Sequence, residues 1–333
     1  MLNIALGWGL LALLGADTRP TEIPISDGTS VVLTDRAVAA KFLRTSDAFT
    51  QSTGPFERQL RLRSAREVSE AELLAFAAGQ TVDWTPDEIQ SLTEVLQGCR
   101  ARLAPWRLPF PGTIQLIKST GKEEGGAAYC RREAIVLSEA MLSRDGPGLE
   151  PLLLHELFHI LSRHNPELRR ELYAVVGFEP CGDGALPAEI EARKVTNPDA
   201  PTYDFAITLE VDGQAAKYVP VITTTSADPT AGFKFPQLEF RLMAITSEGD
   251  RWQPALSDDK LRLLPIAHPA YQQRIGKNTG YTIHAEEVLA DNFKLLMQGE
   301  RDVPSPEILQ NVENVLRKYA GKVAEISTPI AAE

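Results

Sequence analysis

Apolar positions recur at helical spacing from about Asp35 to Leu103. Thr34-Asp35 reads as the cap of a helix carrying Ala39, Phe42 and Leu43. Val68-Ser69-Glu70-Ala71-Glu72 reads as a capped start for Leu73, Leu74 and Phe76, with Gly79 near the end. Thr85-Pro86-Asp87-Glu88 is a stronger start, with a cap, proline at the first helical position and acids against the dipole. The Pro-rich stretch Pro105–Pro111 predicts a boundary, and beyond it the period changes. Thr113-Ile-Gln-Leu-Ile alternates as a strand, Gly121–Gly126 reads as a loop, and Ala127–Leu137 contains a second strand ending in Ile-Val-Leu. Leu149–Arg163 is apolar almost all round, which predicts a buried helix, and Pro166–Val176 predicts another. Gly177–Pro187 reads as loop.

Tyr203–Pro254 is β-rich. Phe205–Val211, Asp212-Gly213 and Lys217–Ile222 predict a hairpin, and Leu238–Thr246 with the Glu248-Gly-Asp turn predicts another. His284–Gln298 and Pro306–Tyr319 return to helical spacing. The pattern predicts an α+β fold. Its divisions are an N-terminal segment (1–16), a linker (17–34), a helical N-terminal region (35–104), a mixed core (105–200), a β-rich insert (201–256) and a helical C-terminal part (257–333).

Composition narrows the classes. The formal charge is 34 − 45 = −11, and no stretch is dense in Lys and Arg, which argues against nucleic acid and anionic membranes as partners. A composition of 43% hydrophobic and 24% charged residues is that of an ordinary globular protein. Residues 1–16, MLNIALGWGLLALLGA, carry no charge. That run is shorter than the roughly 20 residues that span a bilayer. It reads as a signal-peptide core with Gly15 and Ala16 near a cleavage point, so a secreted or periplasmic location is expected. No later segment reads as an integral membrane span. Cys99, Cys130 and Cys181 are too few for a disulfide scaffold, although export permits one disulfide; they read as structural.

The chemistry lies in His155-Glu156-Leu157-Phe158-His159, an H-E-x-x-H sequence inside the expected buried helix. At 100° per residue His159 lies about 40° from His155 and Glu156 about 100° round, so all three reach one cleft. Two imidazoles hold Zn²⁺ from one face, and the glutamate takes a proton from the acidified water. A third ligand is needed. His164 falls about 180° from His155, and Glu179 sits among Pro180, Gly182 and Gly184, which break a helix. Glu287 is the better candidate. Asp291 follows it at i+4 on a convincing helix, where it suits the far nitrogen of a ligand histidine. Glu286 is the competing neighbour. An oxyanion donor is also required, for which Tyr281 comes first and His284 second.

H-E-L-F-H followed by E-V-L-A-D-N-F resembles the zincin metallopeptidases of the glutamate-ligand type, the gluzincins. The second helix is similar to that of a lethal-factor-type catalytic domain, in which a tyrosine shortly before the glutamate lies in the active site, as Tyr281 would here. The resemblance implies a zincin-like fold and zinc-dependent hydrolysis of protein or peptide substrates. Zinc would be held by His155, His159 and Glu287, with Glu156 as general base. It also implies that Ala128–Leu137 is an edge strand pairing with extended substrate. The alternatives are a zinc-containing scaffold without activity and a zinc amidase acting on a cell-wall crosslink.

Overall fold

Asp27-Gly28 turns the chain between two strands, β1 (Thr21–Ser26) and β2 (Thr29–Leu33), with Gly28 at a φ of +78° that suits glycine. This computed structural model describes residues 20–142 and 146–326, so the expected signal segment 1–16 lies outside the described residues. The expected linker over 17–34 is therefore corrected from Thr21 onward. Its Thr, Pro and Ser residues hide an alternation in which Ile23, Ile25, Val31 and Leu33 face the core and are buried. We predict that Ile23→Val and Ile25→Val each cost about 0.5–1.5 kcal/mol in denaturant unfolding. A detached linker would show no change.

Five helices follow: α1 (Arg36–Leu43), α2 (Ala48–Ser52), α3 (Pro55–Leu62), α4 (Glu70–Gly79) and α5 (Pro86–Leu103). The expected caps form: the side chains of Asp35, Ser69 and Thr85 accept hydrogen bonds from the backbone N–H of Val38, Glu72 and Glu88. These helices are not a separate region. They link β2 to its parallel neighbour β3 (Thr113–Ser119), and parallel neighbours need a long crossover. The boundary drawn at 104/105 thus runs through one sheet.

The next stretch holds the expected strand ending in Ile-Val-Leu and adds a short one before it. It is a hairpin of β4 (Tyr129–Arg131) and β5 (Ala134–Ser138), turning at Arg132-Glu133 with Arg132 at a φ of +48°. No glycine or asparagine marked that turn. Among the described residues the first sheet runs β1-β2-β3-β5-β4, with β4 antiparallel at one edge. Ile114, Leu116, Ile135, Leu137 and Cys130 join the core that includes α5 and the next long helix. Ile117, Val136 and Tyr129 join a smaller cluster with Ala39, Leu43 and Ala77 of α1 and α4. Both faces are covered, which is why β3 and β5 read as near-continuous apolar runs.

After α6 (Glu139–Leu142) come α7 (Gly146–His164) and α8 (Pro166–Val175). Leu153, Leu154, Leu157, Phe158, Ile160 and Leu161 of α7 are all buried, as expected for a helix apolar on every side. The β-rich unit is larger than expected. It begins at β6 (Phe178–Pro180) and β7 (Asp183–Gly184), inside the presumed loop and ahead of α9 (Ala188–Glu191). It continues through β8 (Phe205–Val211), β9 (Gln214–Thr224), β10 (Leu238–Glu248), β11 (Arg251–Pro254) and the small pair β12 (Leu256–Ser257) and β13 (Lys260–Leu261). It ends at β14 (Leu263–Pro265), paired to β10. The expected Asp212-Gly213 turn forms, with both residues at positive φ. Three helices complete the described residues: α10 (Pro269–Ile275), α11 (Ala285–Gln298) and α12 (Pro306–Ile326). Among the described residues no helix is long and apolar enough to cross a membrane.

Candidate metal centre

The centre forms where α11 packs against α7. Ala285 and Ala290, both fully buried on α11, let the two helices approach closely. His155 and His159 share one side of α7, one turn apart. Each presents Nε2 to the same Glu287 oxygen, Oε2, at 3.1 Å from His155 and 3.6 Å from His159. Ligands about 2.0–2.1 Å from a tetrahedral zinc lie about 3.3 Å from one another, so these two separations fit the metal. The Nε2 atoms and the carboxylate oxygen lie within 4.8 Å of one another.

Each imidazole is held from behind. Asp291 Oδ1 lies 3.0 Å from His155 Nδ1, and Glu286 Oε1 lies 3.0 Å from His159 Nδ1. Glu286 and Glu287 therefore divide the roles: Glu287 faces both Nε2 atoms, and Glu286 supports His159 from the far nitrogen. Glu286 is itself fixed by Ser162 Oγ, which donates at 2.9 Å, and by Tyr173 OH at 2.6 Å. Asp291 accepts from Thr279 Oγ1 and pairs with Lys294. Asn197 Nδ2 donates to Glu287 Oε1 at 2.6 Å and so leaves Oε2 to face the histidines. Supporting carboxylates of this kind typically carry 10–100-fold in metal affinity. Asp291→Asn should accordingly weaken zinc binding by about 10–100-fold in competition with a chromophoric chelator.

Burial pulls the His155 pKa down, but hydrogen bonds to Asp291 and Glu287 outweigh it and raise the value to about 9. For His159 burial is likewise outweighed, by Asp199, Glu287 and Glu286, and its pKa rises well above the ordinary range. Burial opposes ionisation of Glu287, yet the two histidines hold its pKa well below the ordinary range.

Glu156, only 3% exposed, lines the cleft beside the histidines. Its Oε2 accepts from Cys130 Sγ at 3.3 Å. The reading of the cysteines as purely structural is corrected for this one. The alternation of β4 turns Cys130 toward α7, against Glu156. Cys99, Cys130 and Cys181 are all buried and free, so the disulfide that export would permit does not form. Asp199, whose carboxylate lies close to Glu156 and Cys130, also lines the cleft. Burial, reinforced by Glu156 and Glu287, raises its pKa to about 7 against the opposing effect of His159.

The cleft has a volume of about 340 Å³, and Tyr281 lies on its wall. The Tyr281 ring centroid is 6.2 Å from that of His155. Burial, then the surrounding carboxylates, push the Tyr281 pKa up, which keeps the phenol a hydrogen-bond donor. His284 does not line the cleft, which corrects its expected catalytic role. It caps α11, where its Nδ1 accepts the Glu286 N–H at 3.0 Å, and its ring packs near Tyr173 and Phe178. Helix capping and this aromatic packing hold the ring there. His164 and Glu179, set aside on the sequence, are exposed.

No protein-family model, curated protein or solved structure matches the chain. The geometry carries the functional argument by itself. Asn197, Asp199, Tyr173, Ser162, Thr279 and Cys130 were missed on the sequence. Asn197-Pro-Asp199 sits between α9 and β8, where turn-forming residues carry no periodic signal. Ser162 was passed over although it lies on α7 three residues after His159, where helix geometry gives it the same face.

Proposed function

We propose that this protein is a zinc-dependent metallopeptidase with a zincin-like catalytic unit. The observation that carries the proposal is the convergence of His155 Nε2 and His159 Nε2 on one oxygen of Glu287 at metal-ligand spacing, with Glu156 beside them. Further support comes from the sheet, whose antiparallel edge strand β4 lies against α7.

Zinc bound by these three residues would supply a Lewis acid and an acidified water. Glu156 would act as general base toward the attacking water and return that proton to the departing amine as the C–N bond breaks. The Tyr281 phenol donates to the oxygen on which negative charge develops. Asp291 and Glu286 fix the two imidazole rings, and Asn197 fixes the Glu287 carboxylate.

Metal analysis of the purified protein should give one zinc per chain. Cleavage of an unstructured protein such as casein should stop on chelation and return with zinc. Zinc without cleavage across a broad peptide library would leave a binding protein in place of a peptidase.

A further inference from the structure

A second cavity, of about 90 Å³, adjoins the metal cleft. The two share Ala127, Ala128, Asp199 and Tyr281. The second is walled mainly by the β-rich unit, through Ile222 on β9, Phe233 and Phe235 in the β9–β10 connection, and Leu238 and Phe240 on β10. Phe235 is 58% exposed, with its ring centroid 5.6 Å from that of Phe240. The apolar wall thus meets solvent directly beside the proposed catalytic groups.

Apart from the Tyr281 phenol, the polar side chains of this wall are engaged. The Glu124 carboxylate is ion-paired with buried Arg61, which lies under the Phe233 ring. Thr196 Oγ1 donates to Glu57 Oε2 at 2.9 Å. The Asn197 amide donates to Glu287, and its Oδ1 accepts the Asp199 N–H. Asp199 Oδ1 accepts the Cys130 N–H at 2.8 Å. What the pocket offers an occupant is carbon.

Asp199 takes the outward N–H of Cys130, so extended substrate does not pair there. Ala128 lies just before β4, two residues from Cys130. Ala128 also lines both cavities.

We propose that this pocket receives one aliphatic side chain of leucine or methionine size, from a peptide whose scissile bond lies at the metal centre. The proposal rests on the peptidase reading above. Size selects the class. A pocket of about 90 Å³ is smaller than the roughly 150 Å³ cavity that takes a benzene ring, and far below the roughly 300 Å³ at which drug-sized sites begin. Leucine is therefore preferred over phenylalanine and tryptophan, and strongly over glycine and aspartate.

The test uses the zinc-loaded full chain and peptides that differ at single positions on either side of the cleaved bond. At one position leucine should exceed glycine by at least about tenfold in kcat/KM, since burying such a side chain is worth about 10–150-fold. The same order should appear as Kd when uncleaved peptides bind the zinc-loaded Glu156→Gln variant. Leu238→Lys should lose the leucine preference and gain one for aspartate or glutamate at that position, a swap that general damage to the fold does not produce. Cleavage with no aliphatic preference, or a preference that Leu238→Lys leaves intact, overturns the pocket and leaves the peptidase standing. Leucine-selective binding without any cleavage by the native chain overturns the peptidase and not the pocket. Neither binding nor cleavage overturns both.

Discussion

Glu156→Gln is expected to retain zinc and lose about 10²–10⁴-fold in kcat, the usual worth of a positioned general base. Glu156 is not one of the three residues whose donor atoms converge, so the metal does not depend on it. Its carboxylate lies in the cleft with Cys130 Sγ 3.3 Å away. Glutamine keeps the shape and still accepts that weak thiol hydrogen bond, so the fold should persist. What the amide lacks is the basic oxygen that takes a proton. Metal analysis, a thermal melt and single-turnover peptide cleavage separate these effects. Activity within tenfold of the native protein, with zinc present, would remove Glu156 from the mechanism.

Metal removal should make stability fall at alkaline pH, where the zinc-loaded protein would hold a plateau. In the metal-free chain the folded pKa of His155 is about 9, against roughly 6.5 when unfolded. A folded pKa above the unfolded value gives stability that is complete below pH 6.5 and is lost as the pH rises through 9. For His155 this is worth on the order of 3 kcal/mol, and His159 moves in the same direction. Zinc bound at this site would replace those protons. The loaded fold holds neutral imidazoles while the unfolded chain still binds protons below about pH 6.5, so its stability rises to a plateau above that point. Asp199, raised to about 7, adds a loss that runs through pH 7, so the upper part of the interval from pH 7 to 9 reports mainly the histidines. Melts with chelator should fall by a few °C across that interval relative to melts with zinc. Zinc uptake at pH 7–8 should also release protons, measurable as a buffer-dependent binding enthalpy. Parallel pH profiles for the two forms would falsify the shared-proton arrangement.

The elements that were legible share one property: their signal is local and periodic. The caps at Asp35, Ser69 and Thr85 lie next to the helices they start. The Asp212-Gly213 turn declares itself through two residues that tolerate positive φ. What failed was carried by untypical residues or by distance. Arg132 makes a turn that arginine does not advertise. The β1–β2 hairpin was obscured by polar residues on its outer face. The helices α1–α5 looked like a separate region because their role as a crossover depends on β2 and β3 meeting, 83 residues apart at each pair from Ser30–Thr113 to Leu33–Leu116.

The sequence by itself determined the helix that carries His155, Glu156 and His159, and the i,i+4 placement of Glu287 and Asp291. Helical periodicity fixes which residues share a face, whatever lies opposite. Only the tertiary structure decided how those faces meet. It put Glu287 on both Nε2 atoms and Glu286 behind His159, because the α7–α11 crossing sets which neighbouring side chain points inward. It also brought Cys130, Asn197 and Asp199 to the cleft and turned His284 away from it. Loop residues and strand faces carry no record in the sequence of the distant partner they meet. Their positions follow from packing two sheets and two helices around one buried set of charges.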